Sequence, residues 1–248
     1  MVAYLDEHEL SEARADLAAA FRWTARLDMH EGVANHFSLA VASDGRQFLM
    51  NPDARHFSRI KASELLLLDA DDPETMNRPG APDPTAWTLH GRIHANLPQA
   101  RCVLHAHPKY TTVLASLADS TIYPIDQTTA RFFEQISLDD GYEGMALGDD
   151  EGDRIAAMLG NKSVLMMGNH GIMVVGETVG RAFDALFYIE RAAQTLVTAY
   201  MTQKPLRMMS DDVARKTAQQ WADYPDVAEK HFAELKRILD EDEPDYRH

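Results

Sequence analysis

The chain has 248 residues, 24 basic and 39 acidic, for a formal net charge of -15 at pH 7. That length suits one large α/β domain with a sizeable core, and the acidic excess repels polynucleotide phosphates and anionic lipid, so neither nucleic acid nor a membrane is an expected partner. Cys102 is the single cysteine, which excludes an intrachain disulfide and suits a reduced, cytoplasmic compartment. The first residues are acidic and amphipathic where a secretory signal needs a basic start and a continuous apolar stretch, and no segment approaches the roughly 18 apolar residues of a membrane span.

Apolar residues at helical spacing (Leu10, Ala13, Leu17, Ala20, Phe21) predict a first helix from about Glu9 to Leu27. Residues 37–42 and 47–50 read as antiparallel strands joined through Ser43-Asp44-Gly45, where Asp-Gly is a hairpin signal. Residues 69–84 carry too much proline and acid for a regular element and read as a loop. A helix from Thr85 to Leu97, a short strand from Ala100 to His105 and a helix from Tyr110 to Leu117 follow, then a helix from Asp150 to Leu159. Residues 163–167 and 172–176 read as a second hairpin around Gly168-Asn169-His170-Gly171. Two long helical stretches, Gly180 to Met201 and Asp211 to Leu239, complete the chain, the second divided at Tyr224-Pro225-Asp226. The acidic tail Asp240 to Glu243 reads as a solvated helix end.

The chemistry-bearing pattern is His105-Ala106-His107 at a strand end. A period of two sends both imidazoles to one face, within reach of one ion. His170, in a tight Asn-His-Gly turn, supplies a third. Three imidazoles leave open positions on a divalent ion, which suits a catalytic rather than a structural site. His90 and His94 stand four apart on a helix without an accompanying Glu, so packing and hydrogen bonding explain them better than metal binding. Cys102 reads as a buried core residue beside the ligand strand, and Arg55, Arg59 and Lys61 as a solvated basic face rather than a carboxylate site.

Four segments resemble the class II aldolase/adducin family, in order: Gly32-Val33-Ala34-Asn35-His36-Phe37-Ser38, Val103-Leu104-His105-Ala106-His107-Pro108, Asn169-His170-Gly171, and Gly176-Glu177-Thr178 before a long helix. The resemblance implies a three-layer α/β/α sandwich around a mainly antiparallel sheet. We expect residues 1–248 to form a single domain of this type, with a helical C-terminal region from about 178. It also implies one divalent ion per chain held by His105, His107 and His170, zinc first, with manganese, iron or cobalt as alternatives. Homotetramers with active sites at subunit interfaces are implied as well.

The family's sugar-phosphate aldolases carry a Ser-Ser-Glu segment whose glutamate is the acid/base. Here it falls on Pro84, Thr85 and Ala86, and alanine moves no protons. The phosphate-holding Thr-Gly pair falls on Asp53-Ala54, where a carboxylate repels a phosphate dianion by about a few kcal/mol. The adducin-like branch is closer, through Asn35-His36-Phe37-Ser38, Tyr123-Pro124-Ile125-Asp126-Gln127 and Tyr188-Ile189-Glu190-Arg191-Ala192.

The resulting expectation is a metal-dependent lyase that cleaves a carbon-carbon bond, of retro-aldol type, in a small non-phosphorylated hydroxy-keto or hydroxy-acid substrate. A decarboxylase on the same scaffold and a non-catalytic adducin-like interaction protein are the alternatives. Candidate substrate-binding residues are Asn35, His36 and Asp53, although His36 reads equally well as a satisfied interior histidine. With Ala86 inert, Gln127 is a candidate for orientation and Tyr142 or Glu143 for proton transfer.

Overall fold

The computed structural model describes residues 2–77, 80–141, 149–224 and 226–248. Asp6 opens the first helix, α1 (Glu7–Arg26), through a capping box: its carboxylate accepts the Glu9 N–H while Glu9 accepts the Asp6 N–H. The apolar stripe of α1 buries Leu17 and Phe21 completely. β1 (His36–Ala40) and β2 (Gln47–Met50) pair antiparallel across the Asp44-Gly45 turn, where Gly45 holds φ at 75°, a region open to glycine at no steric cost. The helix α2 (Pro84–Asn96) starts where Asp83 accepts the Ala86 N–H and Pro84 needs no donor. After it come β4 (Cys102–Ala106), α3 (Lys109–Ala115), α5 (Asp149–Leu159), β6 (Val164–Met167), β7 (Gly171–Gly176), α6 (Val179–Met201), α7 (Asp211–Ala222) and α8 (Asp226–Asp242), close to their expected bounds.

Three elements were not anticipated: β3 (Leu66–Asp69), the short α4 (Gln127–Ala130) and β5 (Ile136–Asp139). β3 lies in the unbroken run Leu65 to Leu68, which carries no period, and it takes Asp69 from the start of the expected loop. β5 and α4 are only four residues each, too short for a periodic signal.

The seven strands of the described residues form one sheet in the order β3-β2-β1-β4-β7-β6-β5. All pairs are antiparallel except β5 with β6, so the expectation of a mainly antiparallel sheet in an α/β sandwich holds. Side-chain alternation divides the core. Cys102, Leu104, Ile172 and Val174 join the cluster under α1, α3, α6 and α8, whereas Val103, Met173 and Val175 join the cluster under α2 and α5. The C-terminal helices share the first of these cores, with Phe232, Leu235 and Leu239 in one cluster with Leu17 and Phe21. Arg22 binds Glu243 at 2.9 Å and Asp245 at 3.1 Å, and the Trp23 indole donates to the Leu235 carbonyl.

Leu104 is fully buried in the central strand, between its two flanking neighbours. Leu104→Ala is expected to cost about 2–5 kcal/mol through lost burial and the remaining cavity. A urea-unfolding loss under about 1 kcal/mol would show that the site collapses freely and that β4 is not held as described.

Candidate active site

His105 sits near the end of β4 on the α2/α5 face, and antiparallel register places His36 of β1 directly opposite it. His107 follows two residues later. His170 comes from the turn between β6 and β7, where Asn169 holds φ at 55°. Gly171 is required by contact rather than conformation, since a Cβ there would stand 2.5 Å from His107 Cδ2 and 2.8 Å from the Ala106 carbonyl oxygen. The turn therefore closes directly onto the His-Ala-His segment. One ligating atom from each of His105, His107 and His170 lies within 4.8 Å of the others.

The orientation of two of these rings follows from their outer partners. His105 Nδ1 lies 3.1 Å from the Ile172 carbonyl oxygen, and His107 Nδ1 lies 2.6 Å from a Glu31 carboxylate oxygen. Both oxygens only accept, so each Nδ1 carries the proton and each Nε2 presents a lone pair. The two Nε2 atoms are 3.1 Å apart. Two lone pairs at that distance repel unless a cation stands between them, and two imidazole nitrogens on one tetrahedral zinc would lie about 3.4 Å apart. Burial holds His105 well below the ordinary histidine range and also lowers His170, which favours the neutral form that a metal needs. The donor set thus fits a divalent ion, with outer-shell oxygens fixing the ligand tautomers.

These histidines border a cavity of about 480 Å³. Asn35, His36 and Asp53 line it as well, so all three expected substrate-binding residues are brought to the triad. Asn35 accepts the Glu31 N–H at 2.7 Å and leaves its buried Nδ2 without a partner among the described residues, a donor held at the cavity wall. Ala86, the residue expected at the family's acid/base position, also lines the cavity and is fully buried.

Other expectations fare differently. Gln127 is exposed at the start of α4 and is not among the residues lining this cavity, so its orienting role is not supported within one chain. Tyr142 and Glu143 lie outside the described residues. Arg55 pairs with Glu64 at 2.5 Å and Lys61 with Asp245 at 3.4 Å, away from the cavity, in keeping with a solvated basic face. Cys102 is buried in the opposite core, where desolvation pushes its thiol pKa up.

Sequence reasoning missed a charged cluster on the cavity wall. Asp139 ends β5 and binds Arg154 of α5 at 2.7 Å, and Arg154 also binds Glu151 at 2.7 Å. Its hydrogen bonds from Arg154 hold the Asp139 carboxyl below the usual carboxylate range. The i,i+3 pair Glu151/Arg154 was the available signal, but without β5 nothing placed it near the histidines. Glu190 of α6 was noticed only as part of a resembling segment. Its buried carboxylate accepts the N–H groups of Tyr110 and Thr111 at 2.9 Å each, which pins the start of α3 immediately after His107-Pro108.

The family model described as Class II Aldolase and Adducin N-terminal domain matches residues 15–197. The chain belongs to this family. It is 30% identical over 204 residues to a putative aldolase class 2 protein of Caulobacter vibrioides, covering 82% of this chain and 79% of that one. It is 29% identical to the decarboxylase NovR of Streptomyces niveus, over 82% of this chain and 73% of that one. Among solved structures, an aldolase II superfamily protein from Pseudomonas syringae superposes with a TM-score of 0.87 at 29% identity, covering 98% of each chain. In this class II aldolase family member, the histidine triad falls inside the matched region, whereas α7 and α8 lie beyond it.

Burial also makes a prediction about pH. His94, behind the cavity, is lowered by desolvation to about 4, against an ordinary value of 6.5. The unfolded chain takes up this proton first, so the stability is fully present above about pH 6.5 and is lost as pH falls to about 4. That single group accounts for a loss on the order of 3 kcal/mol. Urea midpoints of metal-free protein should be level above pH 7 and fall steadily between pH 6.5 and 4; a flat profile across that window would contradict a buried neutral histidine.

Proposed function

We propose that this class II aldolase family member is a divalent-metal-dependent lyase that cleaves a carbon-carbon bond in a small, non-phosphorylated hydroxy-keto or hydroxy-acid compound. The observation that carries the reading is the 3.1 Å approach of two Nε2 lone pairs whose Nδ1 protons are already committed. His105, His107 and His170 would hold the ion, zinc being our first assignment for an all-imidazole set and manganese, iron or cobalt the alternatives. When bound, such an ion supplies Lewis-acid stabilisation of negative charge developing on a substrate oxygen beside the broken bond.

The remaining cavity residues support the substrate class. Asp53, Asp83, Asp139 and Glu151 all border the cavity, and Arg154 is engaged by two of these carboxylates. A phosphate dianion would meet this excess of negative charge with no uncommitted arginine described on the wall. Asn35 Nδ2 is positioned to donate to a substrate oxygen, and Glu31 holds the His107 ring in its ligating orientation.

Decarboxylation is the second reading, and Ala86 favours it. Retro-aldol cleavage requires a base to take a hydroxyl proton as the bond breaks, whereas loss of carbon dioxide from a carboxylate requires no base, and the enolate left behind takes its proton from an acid or water. The similarity to a named decarboxylase points the same way. We further propose a single cytoplasmic domain that assembles as a homotetramer with its sites at subunit interfaces. Val33 beside the cavity, with Val113 and Leu117 on and after α3, are 41–45% exposed in the isolated chain and would be covered there.

Elemental analysis of purified protein should find about one zinc, manganese, iron or cobalt per chain, and His105→Ala/His107→Ala should lose it. Holoprotein should then release an aldehyde or carbon dioxide from a member of a hydroxy-keto and hydroxy-acid panel, with turnover at least about 100-fold lower in the double variant. Absence of metal in both proteins, even after add-back, would sink the catalytic reading and leave a non-catalytic interaction protein.

A further inference from the structure

Behind the triad runs a continuous line of buried polar groups that the metal reading does not use. His94 Nδ1 lies 2.7 Å from the Ala100 carbonyl oxygen, and His94 Nε2 lies 2.7 Å from Ser38 Oγ. Ser38 Oγ is 2.5 Å from His90 Nδ1, and His90 Nε2 is 2.7 Å from His36 Nδ1. His90 and Ser38 are fully buried, and His94 is 3% exposed. His36, 8% exposed, is the one member that lines the cavity.

One carbonyl fixes every proton along this line. The Ala100 oxygen only accepts, so His94 Nδ1 donates, and neutral His94 is left with a lone pair on Nε2. Ser38 must fill that lone pair with its single hydroxyl proton. Its oxygen then accepts from His90 Nδ1–H, which leaves His90 Nε2 as an acceptor. That nitrogen takes the His36 Nδ1–H, so His36 Nε2 carries a lone pair. Reversing any single link would set two donors or two acceptors against each other in a dry interior, an arrangement costing more than any alternative exposed to water. Among the described residues the hydrogen bond of the His36 ring is made through Nδ1 and none through Nε2, and its ring centroid stands 4.8 Å from that of His105.

We infer that the Ala100–His94–Ser38–His90 chain locks His36 as a hydrogen-bond acceptor on the cavity wall, which selects a substrate bearing a hydroxyl donor there and disfavours a carbonyl or carboxylate oxygen at the same place. The inference rests on the proposed reading of this cavity as a substrate site and deepens it by placing the hydroxyl of such a substrate against His36 Nε2. His36 is a specificity-determining residue in this account, and Ser38, His90 and His94 are positioning residues acting through it. It also accounts for a serine and two α2 histidines at positions where an apolar core would pack more simply.

Nitrogen-15 solid-state NMR on metal-free, histidine-labelled protein reads the tautomers directly, with assignments from single His36→Gln, His90→Gln and His94→Gln variants. All three should be protonated on Nδ1 and bare on Nε2; a proton on His36 Nε2 overturns the inference whether or not the protein binds metal. In zinc-supplemented protein, lactate, which carries a hydroxyl, should perturb the His36 Nε2 signal and bind about five- to tenfold more tightly than pyruvate, its keto counterpart. Equal affinity, or no response at His36, overturns the donor selection. Ser38→Ala, a small change that removes the central link, should abolish the lactate preference and release the fixed His36 tautomer. A preference unchanged in Ser38→Ala contradicts the chain's role. Metal content measured on the same samples separates failure of the lyase reading, which leaves the tautomers unchanged, from failure of this one.

Discussion

His105 Nε2 and His107 Nε2 are forced to face each other, and the rest of the site is arranged around that constraint. A strand period of two places the rings on one side, β7 supplies the Ile172 carbonyl that fixes one of them, and the segment before β1 supplies the Glu31 carboxylate that fixes the other. The β6–β7 turn can then bring in His170 only because Gly171 lets its backbone press against the His107 ring. Glu190 anchors the chain just beyond His107 by taking two α3 amides. Elements far apart in sequence therefore converge on one pair of nitrogens whose mutual repulsion a cation would relieve.

The same register that builds the triad builds the wall beside it. His36 and Ser38 project from β1 toward α2, where helical spacing presents His90 and His94 one turn apart. Between β1 and α2 these four side chains form a paired polar line, whereas Phe21, Phe37 and Phe57 pack against one another on the other face of the sheet. The difference matters for chemistry. Apolar packing fixes where the strands lie, and a directional hydrogen-bond chain fixes which atom of a ring points at a substrate.

Much of this was legible in the amino-acid sequence because the relevant signals are local. His105 and His107 announce themselves through spacing, His170 through its Asn-His-Gly turn, and most of the long helices through periodicity. The inert Ala86 was also readable and stands in the cavity as a buried methyl group. The less legible features depend on tertiary neighbours. β5 is four residues long, so Asp139 had no assigned place and its pairing with Arg154 could not be inferred. His90 and His94 were rightly read as hydrogen-bonding groups, but their direction depends on Ser38 from another strand and on the Ala100 carbonyl. Gln127 resembled a family position, yet within one chain it is exposed and is not among the residues lining the cavity.

The cavity that results is acidic, carries at Asn35 an amide donor unpartnered among the described residues, and has the Ala86 methyl group on its wall. These features are the grounds on which we propose a non-phosphorylated substrate that carries its own reactive carboxylate or hydroxyl. X-ray absorption at the metal edge of the purified holoprotein tests the central claim most directly. Three imidazole nitrogens at about 2.0–2.1 Å, completed by oxygen ligands, are the expected first shell. A shell without imidazole nitrogens, or one dominated by sulfur, would contradict the assignment of His105, His107 and His170 as the metal centre.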